Sequence, residues 1–208
     1  MPSYAGGCRS ATASVTIILL FFGGYSPRIR KIKRKDARPP FAPGICAMDS
    51  LKLIVFSDSH GDFRALDRLI QKHLGERCVF LHLGDGHREV EDLRMLYPAI
   101  DLRFVPGNCD FSCGEPPVGE LEYGSCRAVF THGHLFGAKY HDDELLALAH
   151  SRGASLLMHG HTHIPREEYT EGVHILCPGS VSRNLTGGAS YAVAEIGRHG
   201  VLTNILKL

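Results

Sequence analysis

Met158-His159-Gly160-His161-Thr162-His163 closes one apolar run with three histidines, and far upstream Phe56-Ser57-Asp58-Ser59-His60-Gly61-Asp62 closes another with an aspartate and a histidine. Between them lie Leu83-Gly84-Asp85-Gly86, Pro106-Gly107-Asn108-Cys109-Asp110 and Thr131-His132-Gly133-His134, each again behind an apolar run of strand length. One Asp or His at a strand end means little, because a tripeptide such as Asp-x-His arises by chance in many loops. Successive strand ends carrying hard oxygen and imidazole groups point instead to a cluster on one sheet edge. If the chain stays extended through Asp58-Ser59-His60 and His161-Thr162-His163, both functional side chains of each pair fall on one side and reach one metal.

Outward from these ends the elements alternate. Leu51–Phe56 reads as a strand, and 62–74 as a helix with Asp62 at its N-cap and Phe63, Leu66, Leu69, Ile70 and Leu74 on one face. Gly75 ends that helix. A strand at Cys78–Leu83, a helix at Arg88–Leu96 stopped by Pro98, and a strand at Leu102–Val105 complete a parallel pattern. The second half changes character, with a hairpin of Gly119–Tyr123 and Cys126–Thr131, a helix at Asp142–Ser151 and a strand at Ser155–Met158. Strands at Val173–Cys177, Ser190–Ile196 and Val201–Leu206 follow without an intervening helix. The expected fold class is α/β: two mixed β-sheets packed as a sandwich with flanking helices, the site lying at the carboxyl ends of the strands.

Composition sets the frame. The chain has 208 residues and a formal net charge of +1, enough for one domain with a real core and no bulk charge that implies nucleic acid. Seven cysteines, scattered and odd in number, argue against a disulfide framework and for a reducing compartment, hence the cytoplasm. Cys109 and Cys113 have no second pair to complete a structural zinc site. Residues 1–47 do not resemble the rest. Val15–Phe22 is too short to cross a bilayer as a helix, Arg28–Lys35 is densely basic, and Arg38–Gly44 is rich in proline. They read as a disordered extension, a weak anchor, or sequence upstream of the natural start. The last is favoured because Met48-Asp49-Ser50-Leu51-Lys52 runs straight into the first strand. A single domain is expected over 48–208.

The series Asp58-x-His60, Gly84-Asp85, Gly107-Asn108, His132-Gly133-His134 and Gly160-His161-x-His163 resembles the calcineurin-like metallophosphoesterases. Ser57-Asp58-Ser59-His60-Gly61, Gly107-Asn108-Cys109-Asp110 and Pro178-Gly179-Ser180 narrow the resemblance to the small bacterial YfcE-type phosphodiesterases. It implies a dinuclear centre: one ion on Asp58, His60, Asp85 and His163, the other on Asp85, Asn108, His132 and His161, with Asp85 bridging. The mixed donors suit manganese, iron, zinc, cobalt or nickel alike, rather than calcium; of these, manganese is the expected metal. A metal-activated hydroxide would attack phosphorus in line, without a covalent intermediate. Catalytic parts fall to Asp85 and Asn108, with Cys109, where many relatives carry a histidine, and His134 as candidates beside the phosphate and the leaving group.

The expected substrate is a small phosphodiester; no nucleic-acid or membrane partner is expected, and a homo-oligomer is compatible. Cys177 stands where the family commonly has Asn before Pro178-Gly179-Ser180, which touches substrate contacts rather than metal chemistry. His82, inside an apolar strand, reads as a satisfied core histidine, and His159 as a packed residue near the site. Two other classes compete. A catalytically silent protein-binding scaffold of the same fold would be free to lose ligands, and this chain has lost none. A metallo-β-lactamase-like hydrolase expects Asp-His after the His-x-His, where Ile164-Pro165 stand.

Overall fold

In the computed structural model the described residues are 50–182, 187–198 and 200–208. The reading of residues 1–47 lies outside them, as do residues 183–186 of the glycine-rich loop. The elements run β1 (Ser50–Phe56), α1 (Phe63–His73), β2 (Cys78–His82), α2 (His87–Leu96), β3 (Asp101–Phe104), β4 (Val118–Tyr123) and β5 (Cys126–Thr131). A 3-10 turn at His134–Phe136 precedes α3 (Asp143–Ser151), β6 (Leu156–His159), β7 (Arg166–Thr170), β8 (Val173–Cys177), β9 (Ser190–Gly197) and β10 (Gly200–Lys207). Two five-stranded sheets result, in the orders β10-β9-β1-β2-β3 and β4-β5-β6-β8-β7. Both are mixed: β1 runs parallel to β2 and antiparallel to β9, and β6 runs parallel to β5 and β8 while β7 opposes β8.

Period-two alternation builds the layers. Leu53 and Val55 of β1 face inward with Leu81, Val105, Phe130, Leu156, Met158 and Ala194, drawn from both sheets. Ile54 and Phe56, the alternate residues of β1, face outward and pack against Leu66, Leu69 and Ile70 of α1 and Leu93 of α2. On the other sheet, Val129, Leu157 and Ile175 receive Leu145, Leu146 and Ala149 of α3. Burying each large aliphatic side chain contributes roughly 2 kcal/mol, so β1, apolar on both faces, is the strand the sandwich is assembled on.

Helix α1 starts where Asp62 accepts a hydrogen bond from the Ala65 N–H at 3.0 Å, which satisfies one of the orphan donors of the first turn. Leu74 departs from expectation: it is the C-cap and 55% exposed rather than part of the packed face. The helix has already ended there, and Gly75 turns the chain with φ +93°. Strand β7 was not expected at all. Its Arg-Glu-Glu-Tyr-Thr carries no apolar alternation because it forms a sheet edge, and charge on an edge strand discourages pairing with other chains.

Candidate metal centre

All five strand ends meet in one place, and the backbone there is unusual. Asp58, His60, Asp85, His161 and His163 have φ of 58°, 44°, 60°, 69° and 57°. They are five of the seven non-glycine residues with positive φ among the described residues. The extended geometry expected for Asp58-Ser59-His60 and His161-Thr162-His163 is therefore wrong. In the left-handed region the chain turns back after each strand, and the side chains converge from loops rather than from one face of a continuing strand. Such a conformation costs about 1–2 kcal/mol per residue, and residues held in it cluster where function over-determines them. Loop-to-loop hydrogen bonds hold it: Asp58 N–H to Gly84 O at 3.0 Å, His60 N–H to Asp85 O at 3.1 Å and Gly160 N–H to His132 O at 3.1 Å.

The side chains that result lie within reach of one another. His163 Nε2 is 3.1 Å from Asp58 Oδ1 and 3.2 Å from His60 Nε2. Asp85 Oδ2 lies 3.8 Å from His60 Nε2 and 3.5 Å from His132 Nε2, between the two imidazoles. His132 Nε2 is in turn 3.3 Å from Asn108 Oδ1 and 3.2 Å from His161 Nδ1. His132 Nδ1 sits 2.7 Å from Leu83 O, so the proton resides there and the Nε2 lone pair points into the cluster. Asp58 Oδ1 is buried, with the His163 ring nitrogen 3.1 Å away. Carboxylate oxygens, an amide oxygen and imidazole lone pairs facing each other at such distances, with few protons between them, repel unless a cation intervenes. The donor set, with the buried Asp58 carboxylate in it, thus fits divalent metal.

The charge states agree. Burial alone would raise the Asp58 carboxyl, but hydrogen bonding to His163 and the proximity of His132 hold it below the ordinary carboxylate value. Burial, then the neighbouring His132, pushes His161 down to about 4, leaving its imidazole neutral at pH 7.

Behind these groups stands a layer that the sequence reading did not assign. Asp110 accepts four backbone hydrogen bonds: from Asp85 N–H and Gly107 N–H at 2.7 and 2.8 Å on Oδ2, and from Gly86 N–H and His87 N–H at 3.0 and 2.8 Å on Oδ1. Burial works against its charge, yet these donors outweigh it and keep the carboxyl below its ordinary value. Asp110 thereby ties the Asp85 loop, the Asn108 loop and the start of α2 together. The buried Glu89 accepts from Ser59 Oγ at 3.0 Å and from Gly61 N–H, fixing the loop that carries Asp58 and His60. Ser180 Oγ and Ser182 Oγ donate to Asp58 O at 2.8 and 3.1 Å. Two signals were available: an acidic residue immediately behind Asn108-Cys109, and a glutamate in the first turn of α2.

Glycine is required where loops touch. A Cβ on Gly107 would stand 2.1 Å from Asp85 Oδ1, and one on Gly84, at φ +99°, 2.6 Å from His132 Nδ1. His82 is fully buried, contacts Ser59 Oγ at 3.2 Å and accepts from Gly84 N–H at 3.1 Å, as a core histidine should. His159 is buried too, its Nδ1 3.0 Å from Gly160 O and its Nε2 without a partner.

Of the two catalytic candidates, Cys109 is exposed, with its Sγ grouped within 4.8 Å of ligand atoms of His60 and Asp85. Burial and then the Asp85 carboxylate push its thiol up to about 11, so it stays protonated at neutral pH. His134 begins the 3-10 turn with its ring centroid 5.3 Å from that of His132 and 6.1 Å from that of His161. Its Nδ1 is buried without a partner. A cleft of about 380 Å³ opens beside the cluster, from His60, Asp85 and Cys109 to Arg88 and Phe111.

Residues 51–199 match the model of the calcineurin-like phosphoesterase superfamily domain. The Probable metallophosphoesterase YsnB of Bacillus subtilis is 32% identical over 132 residues, 63% of this chain and 75% of the relative. Phosphodiesterase YfcE of Escherichia coli is 29% identical over 168 residues, 70% of this chain and 88% of the relative. A conserved Streptococcus pneumoniae protein described as a predicted phosphoesterase superposes with TM-score 0.68 at 31% identity, covering 77% of this chain and 91% of that one. Vacuolar Protein Sorting 29 from Cryptosporidium parvum shares the fold alone, with TM-score 0.62 at 16% identity over 76% of this chain and 92% of that one.

Proposed function

The chain belongs to the calcineurin-like phosphoesterase superfamily, and on that premise we propose that it is a metal-dependent phosphodiesterase with a dinuclear centre. The observation that carries the reading is the placement of Asp85 Oδ2 between His60 Nε2 and His132 Nε2, at 3.8 and 3.5 Å. One ion would be held by Asp58, His60, Asp85 and His163, the other by Asp85, Asn108, His132 and His161, with manganese as the first metal to try. When bound, two divalent ions supply a hydroxide nucleophile near neutral pH and neutralise charge on the phosphoryl oxygens.

The chain's own residues do the rest. Asp85 would serve both ions, and its Oδ1 accepts from Cys109 N–H at 2.7 Å, which fixes the carboxylate plane. His134 faces the phosphate with a neutral ring, since burial and then His132 keep its pKa below the ordinary histidine value. Cys109, a protonated thiol beside Asp85, is placed to donate a hydrogen bond to an ester oxygen. Charge counting supports a diester: two carboxylates against two divalent ions leave two positive charges, which a hydroxide and a diester monoanion cancel. A monoester dianion would leave the site negative. We place the activity in a reducing compartment such as the cytoplasm, supported by the odd, scattered cysteines.

Hydrolysis of bis-p-nitrophenyl phosphate against p-nitrophenyl phosphate, by protein stripped of metal and given manganese, tests this. The expected outcome is faster diester turnover that requires manganese and is lost by at least a thousandfold in Asp85→Asn, by the scale of metal catalysis. The likeness to Vacuolar Protein Sorting 29 keeps a silent scaffold as the second reading. No turnover of either ester with manganese, cobalt, nickel, iron or zinc in folded protein would sink the enzyme reading and move the scaffold to first place.

A further inference from the structure

The cleft beside the cluster has a composition that says what it takes. Its polar groups are almost all engaged internally. Asp110 is bonded by four backbone N–H groups, among them those of Gly86 and His87, so the start of α2 already holds its anion. Glu89 is engaged by Ser59 and Gly61. The His87 ring is stacked on Phe104, 5.7 Å between centroids at 25°. Two lining side chains remain uncommitted. Phe111 is 84% exposed, and Arg88 is exposed with no ion pair or hydrogen bond among the described residues. Both present planar faces: a phenyl ring and a guanidinium group stack on planar rings, a contact that covers more of each face than an alkyl chain does. An aromatic ring held in water beside a reaction centre gains only when a ligand covers it.

We infer that Phe111 and Arg88 form a subsite for a planar aryl or heteroaryl substituent on the phosphorus, so that the enzyme selects phosphoesters bearing such a ring. This rests on the phosphoesterase reading of the adjoining centre and adds the class of organic group. The cleft volume of about 380 Å³ admits one or two rings, and its lining runs from His60 and Asp85 of the cluster to Arg88 and Phe111.

Calorimetric titration of the full, manganese-loaded protein with phenylphosphonate and methylphosphonate tests it without turnover. The readout is the ratio of the two dissociation constants. In the wild type phenylphosphonate binds about tenfold more tightly, the size expected of one stacking contact. Phe111→Ala brings the ratio to within about twofold while methylphosphonate is unchanged, Phe111→Tyr keeps the advantage, and Arg88→Ala lowers the ratio partway. Phe111 is exposed, and circular dichroism checks that each variant is folded. A wild-type ratio near one, or a ratio that survives Phe111→Ala, overturns the subsite alone. Failure of methylphosphonate to bind in the presence of manganese overturns the phosphoester site and the subsite with it.

Discussion

A single carboxylate shows how much of the site lies behind its visible ligands. Asp110 touches no ligand position, yet it joins the loops of Asp85 and Asn108 to α2 through four backbone donors. An amide in its place has one acceptor oxygen and sets NH2 against N–H. Asp110→Asn is therefore expected to lower manganese affinity by about 10- to 100-fold, the usual effect of removing a supporting partner. Titration calorimetry measures it, and unchanged affinity would dismiss the role. That these seven residues gather at one sheet edge was legible in the sequence because each follows a strand, whereas their part as ligands is what the family resemblance implies and stays a proposal. Their geometry was not legible. Left-handed φ at Asp58, His60, Asp85, His161 and His163 is imposed by contacts between loops far apart in the chain, and local propensity disfavours it. Asp110 and Glu89 each stood at a visible position, behind Asn108-Cys109 and in the first turn of α2, but the backbone donors they accept from come from other loops, which spacing does not show.

Among the elements, those with a packed face were legible and those without were not. Helix α1 announces itself by period and strand β1 by its apolar run, whereas β7 exists through its pairing with β8 and its side chains are mostly exposed. What ties β7 to the helical layer is Arg166, whose Nη1 donates to Asp142 Oδ1 at 2.9 Å and whose Nη2 donates to Asp142 Oδ2 at 2.6 Å, at the N-cap of α3. The Arg166 hydrogen bond holds the Asp142 carboxyl below its ordinary 3.8, against the opposing effect of burial. A lowered folded pKa means stability that is present above the unfolded value and lost as pH falls through the folded one. Asp142→Asn should thus cost about 1 kcal/mol at pH 7, the scale of a partly exposed bidentate pair. The cost should shrink below about pH 4. Thermal melts of both proteins at pH 7 and pH 3 check this; a penalty equal at both would assign the effect to something other than charge.

At the scale of the whole molecule, the family match begins at residue 51, within β1. Protein begun at Met48 is expected to melt within about 1 °C of the full chain and to keep its manganese-dependent turnover, because β1 finds both its partners inside 48–208. A large drop in either would give residues 1–47 a structural part. The order β10-β9-β1-β2-β3 has a consequence for synthesis. Among the described strands β1 is synthesised first, and β9, which flanks it on one side, comes last but one. Until β9 arrives, the strand leading to Asp58 and His60 presents an open edge. A nascent chain therefore carries this apolar strand with one edge unpaired for much of its translation. It is the kind of segment a chaperone waiting at the exit tunnel would hold.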